Sequence, residues 1–315
     1  MAIEVQSEQY SIAADRLLFR YGKSFYWARY FLGKETAVAA TRLYAFCRYL
    51  DDIADDSEIS GITKLKSIED IFHSNFGQID AGPEIHDFLH LAEKTELPIF
   101  AVKDLLSGLL SDQNDVLILD ESQLLQYSYK VAGTVGLMMT PILSPSSSRA
   151  LPFAVDLGIA MQLTNIARDV LEDAKLNRRY IPGVWCDNIS AQQIVTFSRG
   201  GTHHERSLVT KAIKKVLSLA EVYYGSGFKG LSYLPARNHL AILIAGIIYR
   251  LIGRKLLNSG TKWWEGRQVI GKGGKALHSL YSPLLLISRF RPLPLHQSEL
   301  HNCLKDYLNF DELTK

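Results

Sequence analysis

Cysteine is scarce in this chain. Cys47, Cys186 and Cys303 are all there are in 315 residues, odd in number and without metal-ligand spacing, which excludes a disulfide framework or thiolate metal centre and points to free thiols in a reducing compartment. Net charge is nearly absent too. Lys and Arg number 35 against 33 Asp and Glu, a balance of +2, so no global field recruits nucleic acid and none is expected as a partner. The longest apolar runs, 131–143 and 240–248, fall short of the roughly 20 residues of a bilayer span, and the first is interrupted by Gly133, Gly136 and Pro141. The opening segment MAIEVQSEQYSIAADR has early acids and no apolar stretch, which argues against a leader peptide. A cytoplasmic protein is the expectation.

Alternating strand patterns are also scarce. Apolar residues recur at three and four instead, as in Val38, Ala39, Leu43, Phe46, Cys47, Leu50, Ile53 and Ala54, and this predicts an all-α protein. Further helices are expected at about 63–76, 84–94, 98–111, 121–143, 149–174, 205–224, 236–259 and 297–308. Breaks at Ala81-Gly82-Pro83, Ser144 to Ser148, Arg199-Gly200-Gly201 and Gly271 to Gly274 fit those limits. With no long linker and no solenoid repeat, one helical domain is expected at 21–290, with a lead-in at 1–20 and a tail helix at 291–315.

What the chain does have is acids in two short clusters. In Asp51-Asp52-Ile53-Ala54-Asp55-Asp56, Asp51 and Asp55 share one helix face and Asp52 and Asp56 another. Like charges at that spacing repel, and the helix C-terminus disfavours anions. The spacing returns in Asn165-Ile166-Ala167-Arg168-Asp169-Val170-Leu171-Glu172-Asp173, where Asn165, Asp169 and Asp173 share a face, with Gln162 beside them, on an otherwise apolar helix. Two such faces opposed across a cavity offer clustered oxygen ligands without Cys or His, a set suited to Mg²⁺. Arg48, Arg168, Arg178 and, more weakly, Arg179 stand close in sequence, able to fork onto phosphate oxygens.

The segments YGKSFYWARYF, RLYAFCRYLDDIADD, YSYKVAGTVGLMMTPIL, LGIAMQLTNIARDVLEDA, RRYIP and AILIAGIIYRLIGRKL resemble, in order and style, the squalene and phytoene synthases, bacterial phytoene synthases most closely, from about Tyr21 to Lys275. The resemblance implies the isoprenoid synthase fold, one helical domain around a central apolar cavity. It implies head-to-head condensation of two geranylgeranyl diphosphates through prephytoene diphosphate to phytoene. One alternative is a squalene or dehydrosqualene synthase acting on two farnesyl diphosphates, needing NADPH in the squalene case; another is a non-catalytic helical lipid-binding or assembly relative.

By the same resemblance, Asp51, Asp55, Asn165, Asp169 and Asp173 are the Mg²⁺ ligands, with Mn²⁺ as a substitute. Arg48, Arg168 and Arg178 look like diphosphate clamps. Tyr21, Gly22, Lys23, Ser24 and Phe25 match the substrate-contacting stretch; Tyr44 and Tyr127 face the cavity, with Tyr127 catalytic; Gln162 orders diphosphate oxygens and Tyr249 closes over one. The glycines of the Val131 to Gly136 segment admit the prenyl chain, with close helix packing as the competing reading. Many relatives carry a basic residue where this chain has Gln113-Asn114, and Asp112 itself reads as a surface acid. Long hydrocarbon substrates imply peripheral contact with the inner face of the membrane, for which Phe228, Leu231, Tyr233, Leu234, Trp263 and Trp264 are candidates, and contact with upstream or downstream isoprenoid enzymes.

Overall fold

The computed structural model describes residues 13–55, 59–73, 82–113, 115–267, 271 and 292–308; Asp56, Asn114 and Lys275 lie outside them. Among the described residues the chain forms twelve α-helices: α1 (13–21), α2 (Lys23–Arg29), α3 (Lys34–Ala54), α4 (Ile59–His73), α5 (Gly82–Thr95), α6 (Ile99–Ser111), α7 (Glu121–Ser128), α8 (Thr134–Ile142), α9 (Leu151–Lys175), α10 (Ala191–Gly200), α11 (His203–Gly230) and α12 (Ala236–Asn258). A two-residue parallel ladder, β1 (Val116–Leu117) with β2 (Arg178–Arg179), is the only sheet among them. The three cysteines are free.

Helix α9 is the axis, because its sequence is apolar nearly all round; it packs along α11 and also against α8, α10 and α12. Residues 148–175 are long and apolar enough to cross a membrane, but 67% of that window is buried inside the bundle, as in a core helix of a large domain. The crossing of α8 and α9 is close enough to need glycine. A Cβ on Gly136 would sit 2.3 Å from the Ala154 carbonyl oxygen, and one on Gly158 2.3 Å from that of Ala132. Gly136 thus faces α9 backbone, which favours the packing reading at that position, while Val131 of the same segment lines the cavity described below. Between α7 and α8 the expected single helix widens into a π turn at Tyr129–Gly133.

Helix α10 was not foreseen, although its capping box, Ser190 with Gln193, is visible in the sequence. The expected tail helix is a short 3₁₀ segment at Ser298–Leu304. That tail is strapped to the bundle by hydrogen bonds from Tyr233 to the Pro294 carbonyl (2.6 Å), from Tyr223 to that of Leu300 (2.8 Å) and from Gln126 to that of Cys303 (3.0 Å). His296 and His301 each place Nε2 2.7 Å from one oxygen of the fully buried Asp156 on α9. These three side chains come close enough together to hold a metal ion, yet both carboxylate oxygens are already engaged by the imidazoles, so they act as a clamp for the tail. Leu231, Tyr233, Leu234 and Trp263 are buried in the packed interior and do not provide the expected membrane face.

Candidate active site

The last turns of α3 and α9 bring the two acid clusters together. Asp51, Asp55, Asn165, Asp169 and Asp173 line one cavity of about 300 Å³ with Arg48, Arg168, Arg178, Gln162, Tyr127 and Val131, so most residues of the expected site converge from helices more than a hundred positions apart. Its wall is mainly charged and polar, where an apolar cavity was expected. The apolar part lies behind it. Phe25 packs its ring 5.2 Å from Tyr249 and 6.2 Å from Tyr44, and Gly22 lets Tyr44 approach, since a Cβ there would meet its ring at 2.9 Å. Tyr21 lies at the rim with the Arg48 guanidinium 4.8 Å over its ring. Lys23 is exposed and Ser24 half-buried on α2, and neither lines the cavity.

Three residues of the site carry no clear sequence signal. Asp112, at the end of α6, is buried rather than a surface acid; it accepts a 2.8 Å hydrogen bond from Tyr127. Tyr180 stacks on Tyr127 at 4.7 Å and also lines the cavity. Arg267, which reads as part of a solvated loop, forks onto Asp169 as Arg168 does: its Nε donates to Oδ1 at 2.6 Å, the same oxygen that the Arg168 Nε reaches at 2.7 Å. Arg179 is no surface charge. It is buried and donates to the carbonyls of Ile118 (3.0 Å) and Ile181 (2.8 Å), holding the loop behind β2. Gln113 donates to the Ala54 carbonyl at 2.9 Å, tying α6 to the end of α3.

The electrostatics divide the acids. Burial pushes Asp51 up to about 7, with Asp55, Asp52 and Asp112 adding repulsion against the pull of Arg48. Burial and Asp169 push Asp173 up to about 8. Asp112 rises to about 6 through burial, restrained by the hydroxyls of Tyr127 and Tyr180. Burial would raise Asp169 as well, but the two arginine forks hold it below the ordinary carboxylate range. Asp55 is half-exposed, 3.6 Å from Arg178, and Asp52 pairs with Arg48.

Do these residues fit a divalent cation? The Oδ1 atoms of Asn165 and Asp112 are buried without a hydrogen-bond partner, and beside them Asp51 and Asp173 are held above the ordinary carboxylate range by burial and neighbouring acids, which Arg48, Arg178 and Arg267 offset only in part. Unsatisfied oxygens and crowded carboxylates are the donor set of a hard cation such as Mg²⁺. The fit is good, with Asp169 the exception because both its oxygens are already bound.

A family model described as squalene/phytoene synthase matches residues 18–273. A 15-cis-phytoene synthase of Enterobacter agglomerans is 33% identical over 258 residues, covering 78% of this chain and 85% of the relative. A phytoene synthase of Thermus thermophilus is 32% identical over 291 residues, 89% of this chain and 93% of the relative. Among solved structures, a dehydrosqualene synthase in complex with ligand superposes with a TM-score of 0.76 at 24% identity, covering 90% of this chain and 98% of its own. At that identity the likeness bears on the fold, which is the expected all-α one.

Proposed function

This chain belongs to the squalene/phytoene synthase family, and from that premise we propose that it joins two geranylgeranyl diphosphates head to head, through prephytoene diphosphate, to phytoene with release of diphosphate. The observation that carries the reading is the pair of acid-bearing helix ends opposed across one cavity with arginines between them. Cations to hold phosphates and oxygens to hold a metal meet there at the edge of an aromatic, apolar wall.

Asp51, Asp55, Asn165 and Asp173 would hold Mg²⁺, or Mn²⁺ in its place, with Asp169 joining when one of its forks opens. When bound, the ion neutralises the charge that develops on a departing diphosphate. Arg48, Arg168 and Arg178 bind and orient the diphosphate oxygens, favouring C–O ionisation of one allylic substrate. The second substrate captures the cation to give a cyclopropylcarbinyl diphosphate; a second ionisation, rearrangement and loss of a proton complete the reaction. Phe25, Tyr44 and Tyr249 keep water from the cations, which it would trap as alcohols. Tyr127, anchored by Asp112, presents its oxygen and ring to the same space. The hydrocarbon tails add peripheral contact with the inner face of the membrane to this reading.

The test is incubation with Mg²⁺ and either the C15 or the C20 diphosphate, with and without NADPH, followed by mass spectrometry of extracted hydrocarbons. Phytoene from the C20 substrate without NADPH is expected. A C15-derived hydrocarbon in its place would reassign the chain to the squalene or dehydrosqualene branch. Function unchanged in Asp51→Ala and Asp169→Ala would refute catalysis altogether.

A further inference from the structure

The largest exposed aromatic side chains of the described residues gather on the outer face of α1 and α2. Phe19 is 63% and Tyr30 66% exposed. Between them Tyr26 packs edge-on against both, at 5.1 Å from Phe19 and 5.3 Å from Tyr30. The two helices are joined through Gly22, which itself leaves helical angles (φ −103°, ψ 45°) but keeps the hydrogen-bond chain, its amide donating to the Leu18 carbonyl and the Tyr26 amide to its own carbonyl. On such a rod residues 19, 26 and 30, spaced by seven and four, form one stripe. Arg16, Arg20 and Lys23 are exposed and, at helical spacings of four and three, run directly beside it.

We propose that this aromatic stripe with its basic flank is where the protein docks on an anionic lipid bilayer. Aromatic rings favour the headgroup level of a membrane, and basic residues at the edge of an apolar helix face are drawn to anionic lipid. Charge selects this face over the other exposed apolar cluster. Leu117, Leu119 and Val184 are exposed too, but Asp115, Asp120 and Asp187 stand one to three residues from them and an anionic surface repels these, whereas Asp15, the acid beside the stripe, is paired with Arg29 at 2.7 Å.

The location has a chemical use. Tyr21 is 48% exposed at the end of the same helix and supports Arg48, which lines the cavity. Tyr21 stands roughly 200° round the helix from Phe19, so docking on the stripe leaves the cavity rim beside the bilayer rather than pressed on it, near the lipid from which a prenyl chain would reach the aromatic wall of Phe25, Tyr44 and Tyr249 while its diphosphate stays with the arginines. That use rests on the proposed prenyl diphosphate reaction; the docking itself does not.

The experiment is co-sedimentation of the full chain with vesicles of phosphatidylcholine alone and of an equal mixture with phosphatidylglycerol, at low and high salt. The parent should pellet with the anionic vesicles only, and less at high salt. Phe19→Ser with Tyr30→Ser removes the stripe; Arg16→Glu with Arg20→Glu inverts the flank. Each pair should weaken anionic-vesicle binding by roughly tenfold or more, with the far-ultraviolet circular dichroism unchanged and turnover of detergent-dispersed substrate retained. A parent that ignores anionic vesicles, or either folded variant binding as the parent does, overturns the proposal. A parent that binds through this face yet forms no hydrocarbon would instead refute the proposed reaction and leave the docking surface standing.

Discussion

Removing one acid from the site should make the metal-free protein more stable. Asp173 goes from 3.8 to about 8 on folding because it is buried beside Asp169. A folded-state pKa above the unfolded one means that the folded chain holds the proton more tightly. The stability tied to Asp173 is therefore intact at low pH and is lost as pH rises toward 8. Between pH 5 and pH 8 this amounts to about 4 kcal/mol at 1.36 kcal/mol per pKa unit, or roughly 8 °C in Tm for a chain of this size. The assay is thermal unfolding in EDTA, followed by circular dichroism, of the parent and Asp173→Asn at both values. Their difference cancels every other titrating group: the variant should gain on the parent by roughly that amount between pH 5 and pH 8. Adding Mg²⁺ with inorganic diphosphate at pH 8 should raise the parent far more than the variant. Parallel curves, with no differential gain, would show that Asp173 is solvated or already compensated, and the cavity would lose its claim to be a cation site.

Three further outcomes follow from the packing and the hydrogen bonds. Gly158→Ala forces a methyl group to 2.3 Å from the Ala132 carbonyl oxygen and should cost about 1–3 kcal/mol or more, read by urea denaturation. Asp156→Ala leaves His296 and His301 without their shared carboxylate; a loss of about 3–5 kcal/mol and faster proteolysis within 292–308 are expected, with Mg²⁺ affinity unchanged. Tyr127→Phe removes the 2.8 Å hydrogen bond to Asp112 and should lower kcat more than it raises KM, while Tm shifts by only about 1 kcal/mol equivalent.

The helices and the acid clusters were legible because each is written in local spacing. Apolar residues at three and four marked the bundle, and the four-residue repeat of Asp on two helices marked the facing pair. Arg267 was not legible, since it reaches Asp169 across nearly a hundred residues and nothing in Trp-Glu-Gly-Arg signals a partner. Asp112 failed for a similar reason: burial of an acid at a helix end depends on what packs over it, here Tyr127 and Tyr180. The glycines of VAGTVG were visible as a cost without a visible cause, because the cause is the backbone of α9. The membrane face was sought among residues of 228–264, of which the fold buries Leu231, Tyr233, Leu234 and Trp263 and half-buries Phe228 and Trp264, whereas the more exposed rings stand on α1 and α2, where the family resemblance had drawn attention to substrate instead.

The π turn at Tyr129–Gly133 is in effect one extra residue wound into a continuous rod, and an extra residue sets the two ends out of phase by about 100°. Tyr127 and Val131 look into the cavity before the shift is complete, while Gly136 after it meets the α9 backbone. Chemistry and close packing thereby occupy one helix without competing for the same face. Deleting a single residue from the turn would bring the ends back into phase, and the chain would then have to give up either the cavity wall or the helix crossing.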